Sequence, residues 1–362
     1  MARGRARRLW GPGVIVLASC GAPPPRLRSP APTATAEPVA SATAAPTSVP
    51  PPTAPAPLSE AALRAHVEAL AAPVLRGRGS GTADEAAAAQ RIVDHLEAWG
   101  VAPAMAGYLQ SFRLRPDSGR QSANVVASLP GAGRLADEVV VFGAHYDHLG
   151  VKKGVTYPGA EDNASGVAVV LETARALAEE TDGDRREVLF IFFGAEEMGL
   201  LGSRHYVRHP VRPLESTVAM VNIDMIGRPL IDQEGLGFLR RLVKLDPDAS
   251  IGALGTADRP VLRDIVEDAC AEQALQLWAT EDLPRPIQRF VEAFSDGRGD
   301  SFSFEDAGVP ALFFGAGESG DYHQPTDTAD RLRYPLLARR ARAIAEVLRR
   351  LRTSPERPKR PR

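Results

Sequence analysis

Cysteine is almost missing from this chain, which has only Cys20 and Cys270. Two thiols make no disulfide framework, so the fold must rest on an apolar core. Charge of one sign is missing too. The formal net charge is -2, which leaves no electrostatic case for a nucleic-acid partner. No internal repeat is present. "GRGSG", Gly77 to Gly81, lacks the Gly-Lys-Ser/Thr ending and the preceding strand of a phosphate-binding loop, so it reads as a turn before a helix. What the chain does have is length and apolar content. Its 362 residues at 44% hydrophobic suffice for one large domain or two modest ones.

The N-terminus reads as an address. "MARGRARRLWGPGVIVLASC" joins a basic start to an apolar stretch, Val14 to Ala18, far too short to span a bilayer. It ends in "LASC", Leu17 to Cys20, which looks like a bacterial lipobox. Residues 1–19 are therefore expected to be a signal peptide, and Cys20 a lipidated residue that holds the protein on a membrane without a transmembrane helix. Gly21 to Pro57 is rich in Pro, Ala, Thr and Ser and nearly free of large apolar residues. Such a segment cannot offset its chain entropy, so 20–57 is expected to be a disordered tether. The basic charge here (Arg3, Arg5, Arg7, Arg8, Arg26 and Arg28 against Glu37) leaves the remainder more acidic than the whole. These features predict a location in the cell envelope. Gly21 and Ala22 after the cysteine give a weak hint of an outer membrane.

From Leu58 the composition becomes globular. "LSEAALRAHVEALAAP" predicts a helix capped by Ser59, and "TADEAAAAQRIVDHLEAWG" a second closed by Gly100. Short apolar runs then alternate with helical patterns: "NVVASL", "EVVVFGAHYD", "EVLFIFFGAEE", "TVAMVNIDM" and "PALFFGAG". This predicts an α/β fold with three layers, α/β/α, around a mostly parallel mixed sheet. The final helix is expected over about 335–351, one domain over 58–354, and a basic, solvated, disordered tail at 355–362. Cys270 sits in a helical pattern and reads as a small buried hydrophobe.

Four apolar runs end alike: one at His145, one at Glu196 and Glu197, one at Asp224, and one that leads through "ESGDY" to His323. In an open α/β sheet, ligands bind beyond the C-terminal ends of the strands. With Asp147 and with Asp162 in "GAEDNASG", these residues suit borderline-hard divalent ions, zinc first. There are too many donors for one tetrahedral zinc and a good number for two. A two-metal site polarises a carbonyl and supplies a nucleophile at neutral pH, and one free carboxylate must then take a proton.

"GAHYDH", "EDNASGVA", "GAEEMGLLGS", "NIDMIG" and "YHQPTDT" stand in that order. Together they resemble the co-catalytic zinc aminopeptidases, a family that includes glutamate carboxypeptidase and the glutaminyl cyclases. The resemblance covers about residues 70–350 and implies the zinc-peptidase (phosphorylase/hydrolase-like) architecture with two zinc ions per chain. It further implies that His145 and Asp224 bind one ion, Glu197 and His323 the other, and that Asp162 bridges them. Glu196 would be the general base and acid, and Asp147 would orient the His145 imidazole. His148 would stay outside the ligand set, and Tyr322 could touch substrate. Departing from the family, Ser301 follows Asp300 where a histidine is common, and residues 230–297 match poorly.

The expected activity is a membrane-tethered extracytoplasmic metallopeptidase acting on peptides, in the first place an aminopeptidase. Glutaminyl cyclisation is the alternative, although cyclases use one zinc and dispense with part of this ligand set. Carboxypeptidase and dipeptidase readings also stay open. They would need arginines lining the pocket, for which Arg228, Arg285, Arg289 and Arg298 are candidates. A non-catalytic ectodomain would have lost ligands that this chain retains.

Overall fold

The computed structural model describes residues 56–115, 119–180, 183–232, 244–285, 288 and 297–361. The expected signal peptide, Cys20, all but the end of the tether, and Arg289 lie outside the described residues. Strands are numbered in chain order: β1 Ala102–Pro103, β2 Leu109–Arg113, β3 Gln121–Leu129, β4 Val139–His145, β5 Gly150–Lys152, β6 Val155–Tyr157, β7 Glu187–Phe193, β8 Thr217–Ile223, β9 Ser250–Leu254, β10 Gln276–Ala279 and β11 Ala311–Gly315.

Every residue of β4, β7 and β8 is buried. That is the burial expected when both faces of a sheet are covered. In β7, Val188, Phe190 and Phe192 join one apolar cluster, while Leu189, Ile191 and Phe193 join another. The strand's alternation thus feeds two cores. The larger core takes Leu63, Ile92, Val170, Leu262 and Ile344 from helices Glu60–Leu70, Ala83–Ala98, Gly166–Ala178, Pro260–Glu272 and Tyr334–Thr353. The smaller takes Tyr206 from helix Leu201–Arg208 and Phe304 from helix Ser301–Asp306. The result is three layers, as the sequence predicts.

The sheet order is β1-β3-β7-β4-β8-β11-β9-β10, with β2 on β3. The central strands β7, β4, β8 and β11 run parallel. β3 pairs antiparallel with β7, and β9 with β11. Parallel pairing puts the ends of β4, β7, β8 and β11 on one edge. β9 and β10, from the stretch that matches the family poorly, extend the sheet.

Helix starts follow the sequence signals: Ser59 accepts from the Ala62 amide and Thr82 from that of Glu85. Cys270 is buried with its thiol pushed up to about 12 by burial, which fits an inert small hydrophobe. The C-terminal residues are mostly exposed, as expected of a solvated tail, but they also make fixed contacts that the sequence reading did not foresee. Residues 355–361 do not leave the surface. Arg186 is fully buried and donates to the carbonyls of Leu351, Ser354 and Glu356. Arg357 pairs with Glu138 at 2.7 Å, and Arg360 donates to the carbonyls of Leu214, Glu215, Thr217 and Gly308. A basic tail reads as solvated, but guanidinium groups equally serve as donors to carbonyls that secondary structure leaves unmatched.

Candidate metal centre

The edge of the sheet assembles the site. β4 ends on His145. The loop after β7 carries Glu196 and Glu197. Asp224 follows β8, and His323 lies in the loop after β11. Asp162 comes from the turn Ala160–Ser165, which leads into helix Gly166–Ala178. Non-glycine residues take left-handed backbone here: Ala195 (φ 54°), Met225 (φ 58°) and His323 itself (φ 54°). Such conformations are costly for side-chain-bearing residues, and they turn the chain sharply where the polar groups must face inward.

Asp162 is the centre. Its Oδ1 lies 3.3 Å from His145 Nε2, and its Oδ2 lies 3.1 Å from His323 Nε2. His145 Nε2 is also 3.4 Å from Asp224 Oδ1, and His323 Nε2 is 3.2 Å from Glu197 Oε1. Two donor groups share Asp162: one with His145 and Asp224, the other with Glu197. His148, expected to stand apart, joins the second group. Its Nδ1 is 2.9 Å from Glu197 Oε1 and 3.6 Å from Asp162 Oδ2.

The donor set fits metal. Two ligands about 2.0–2.1 Å from a tetrahedral zinc stand roughly 3.3 Å apart. The separations above cluster around that value. His148 Nδ1 and Glu197 Oε1 are buried 2.9 Å apart, yet neither has a hydrogen-bond partner. Atoms that are close without pointing at each other are what a common central ion would explain.

The turn bearing Asp162 is held from below. The Glu161 and Asp162 amides donate to Asp327, the last acid of "YHQPTDT". The Glu161 carboxylate accepts from the amides of Gly227 and Arg228, and Asn163 bonds Ile223 O and the Met225 amide. Arg78, fully buried, donates to the carbonyls of Leu70, Tyr146, Pro158 and Gly159. So "GRGSG" is a turn, as expected, but one that clamps the site from beneath.

Asp147 lies against His145, its expected partner, and also reaches beyond it. Its carboxylate lies 3.8 Å from His145 Nδ1, which is nearer its own main-chain oxygen at 3.3 Å. The carboxylate also accepts from Ser80 Oγ at 2.6 Å and from the amides of Glu196 and Glu197. It fixes the loop that carries the expected base.

Charge is unbalanced. Burial raises the Glu196 carboxyl well above its ordinary range; His145 opposes this, and Asp300, Asp224 and Asp147 add to it. Burial also raises Asp300 to about 7. Burial alone would lower the His323 imidazole, but Asp162 and Glu197 push it up to about 10. Carboxylates outnumber the imidazoles facing them, a field that favours a multivalent cation.

Tyr322 stacks on His323 with centroids 3.8 Å apart. His66 pairs with buried Glu172 at 2.9 Å and stays outside the centre. Sequence reasoning assigned no role here to Arg78, Ser80, Glu161 or Asp327. All four lay inside quoted stretches, Arg78 and Ser80 in "GRGSG" and Glu161 and Asp327 in the motifs that carry the resemblance, so the signal was available.

The comparisons agree with this geometry. The model of peptidase family M28 matches residues 124–348, more than half of the chain. Leupeptin-inactivating enzyme 1 of Streptomyces exfoliatus is 28% identical over 331 residues, which cover 86% of this chain and 66% of that protein. A Mycobacterium tuberculosis protein described as "Probable lipoprotein aminopeptidase LpqL" is 31% identical over 253 residues, covering 61% of this chain and 46% of that one. The chain thus spans less than two thirds of the length of these relatives. Among solved structures, a zinc aminopeptidase from Bacillus subtilis superposes with a TM-score of 0.61 at 16% identity, covering 84% of this chain and 98% of that one. Porphyromonas gingivalis glutaminyl cyclase gives 0.59 at 19%, covering 81% and 99%. At such identities these two likenesses speak to the fold alone.

Proposed function

Since the chain belongs to peptidase family M28, we propose that it is a zinc-dependent exopeptidase, in the first place an aminopeptidase that removes N-terminal residues from peptides. The observation that carries this reading is Asp162, whose two oxygens face two different imidazoles at 3.3 and 3.1 Å. His145, Asp162 and Asp224 would hold one zinc, and Asp162, Glu197 and His323 the other. When bound, such a pair polarises a carbonyl and makes water nucleophilic near neutral pH.

The remaining work falls to the chain. The Glu196 carboxylate takes a proton from the attacking water and returns it to the leaving nitrogen. Burial and neighbouring carboxylates raise its affinity for protons, which suits a group that must both accept and release one. Asp147 anchors the Glu196 amide at 2.9 Å and so fixes the base against the strand edge. The full donor set favours hydrolysis over cyclisation. Arg228 is engaged by Asp232 and Asp321, and Arg298 by Glu318, which argues against their serving to recognise a substrate carboxylate.

The domain is further read as tethered to a bacterial membrane through lipid on Cys20, with the catalytic part extracytoplasmic. The "LASC" sequence and the lipoprotein description of one relative support this. Among the described residues no helix is long and apolar enough to cross a membrane. Cys20→Ala is expected to move the protein from the membrane fraction to the soluble one.

Zinc content per chain, measured alongside hydrolysis of aminoacyl anilides, tests the activity. Two zinc ions with cleavage of unblocked but not N-blocked substrates are expected. One zinc without hydrolysis would point to glutaminyl cyclisation. Two without anilide cleavage would point to carboxypeptidase or dipeptidase substrates.

A further inference from the structure

The family's ligand pattern leaves one buried imidazole unexplained. His148 is 1% exposed, and neither ring nitrogen has a hydrogen-bond partner. Nδ1 lies 2.9 Å from Glu197 Oε1 without hydrogen-bond geometry, and Nε2 has no donor or acceptor facing it, an arrangement that is costly for a buried imidazole and calls for a reason. Its position is built rather than incidental. The His148 amide donates to Arg78 O, one residue of the clamp beneath the site. The ring packs on Gly159 so closely that a Cβ there would meet His148 Cδ2 and Cγ at 2.6 Å. The same Cβ would meet Asp162 O at 2.4 Å, so glycine at 159, with φ +66°, serves the turn that bears Asp162 and also leaves space for the ring.

We propose that His148 is a fourth protein donor to the second metal position, beside Asp162, Glu197 and His323. This rests on the two-ion reading above. Nδ1 lies 2.9 Å from Glu197 Oε1 and 3.6 Å from Asp162 Oδ2, while His323 Nε2 lies 3.2 and 3.1 Å from the same two atoms. Two imidazoles thus flank one pair of carboxylate oxygens at like distances, and their centroids are 5.8 Å apart. Each imidazole faces the same two carboxylate oxygens, and His148 forms a compact donor group with Asp162 and Glu197. The two positions are then unequal. The one at His145 and Asp224 would have three protein donors and the one at His323 four.

Cobalt(II) titration of the full-length chain tests this, with wild type, His148→Gln and His148→Cys compared. Wild type is expected to bind two ions. His148→Gln should keep one at wild-type affinity and weaken the other at least about 100-fold, beyond what losing an outer hydrogen-bond partner costs. His148→Cys should gain a near-ultraviolet thiolate-to-cobalt band over the wild-type baseline, which carries the same Cys20 and buried Cys270. Two ions bound to His148→Gln with wild-type affinity, or a fully loaded His148→Cys without that band, would overturn the proposal. If Gln unfolds the chain, the Cys band alone decides. Wild type taking up no cobalt would overturn the two-ion reading itself. A wild type with two ions and peptidase activity but a silent position 148 would overturn only this inference.

Discussion

At the residue scale the proposed mechanism turns on Glu196. The Asp147 carboxylate holds its amide, and burial raises its carboxyl. Glu196→Gln keeps the shape and removes the base. Zinc content should stay at the wild-type value while kcat falls about 10²- to 10⁴-fold; near-normal turnover would remove Glu196 from the mechanism. The same scale shows where sequence reading stops. His145, Asp147 and His148 stand within four residues in "GAHYDH", and residue type marked the cluster while leaving His148 outside the expected ligands. Where each side chain points was not legible there. Asp147 reaches past its neighbour His145 to Ser80 and the Glu196 loop, and His148 turns toward Glu197. Those directions depend on loops far away in sequence.

At the scale of elements, the strands and their ends were legible because burial on both faces writes itself as unbroken apolar runs. The supports beneath were not, because a buried arginine looks like any other arginine in a sequence. Arg78 satisfies four carbonyls from three segments. Arg78→Met should leave them unmatched and cost about 3 kcal/mol or more. Arg333→Ala, which breaks an exposed pair with Asp248 at 3.9 Å, should cost under about 1 kcal/mol. Urea midpoints of the two variants decide this, and equal losses would refute the clamp. Helix Ala83–Ala98 carries a second device. Glu85 is buried against Ser122 and the Gly81 amide, and burial with Asp147 raises it from 4.5 to about 7. The folded chain keeps this proton between about 4.5 and about 7, where the unfolded chain has released it. Its contribution is therefore full below the lower value and lost as pH rises through the upper one. Glu85→Gln should gain on wild type by on the order of 1–3 kcal/mol between pH 5.5 and 8. A difference that does not change with pH would show that Glu85 titrates normally.

At the scale of the whole molecule, alternating apolar runs and helical patterns were enough for a three-layer sheet, and its parallel centre explains why distant motifs meet on one edge. The C-terminal residues misled in part, for a physical reason: charge density signals a free tail only when no carbonyls wait nearby, and here Arg360 finds four. The same edge makes stability depend on metal. Asp162, Glu197 and Asp224 are buried or nearly so and face one another across a few ångströms. Without a cation their repulsion opposes folding; with one, every ion that binds only the folded chain stabilises it by mass action, about 2.7 kcal/mol at a hundred times its Kd. A folded domain of about 300 residues loses roughly 1.5 °C in Tm per kcal/mol, so a strong chelator that removes two such ions should lower Tm by about 8 °C. Restoring zinc should reverse the fall, and sodium chloride at equal ionic strength should not. Reversal by salt alone would mean that the carboxylates need only screening and that no ion is held there. An unchanged Tm would mean that the edge is stable without metal, and the case for a metal-organised site would fail with it.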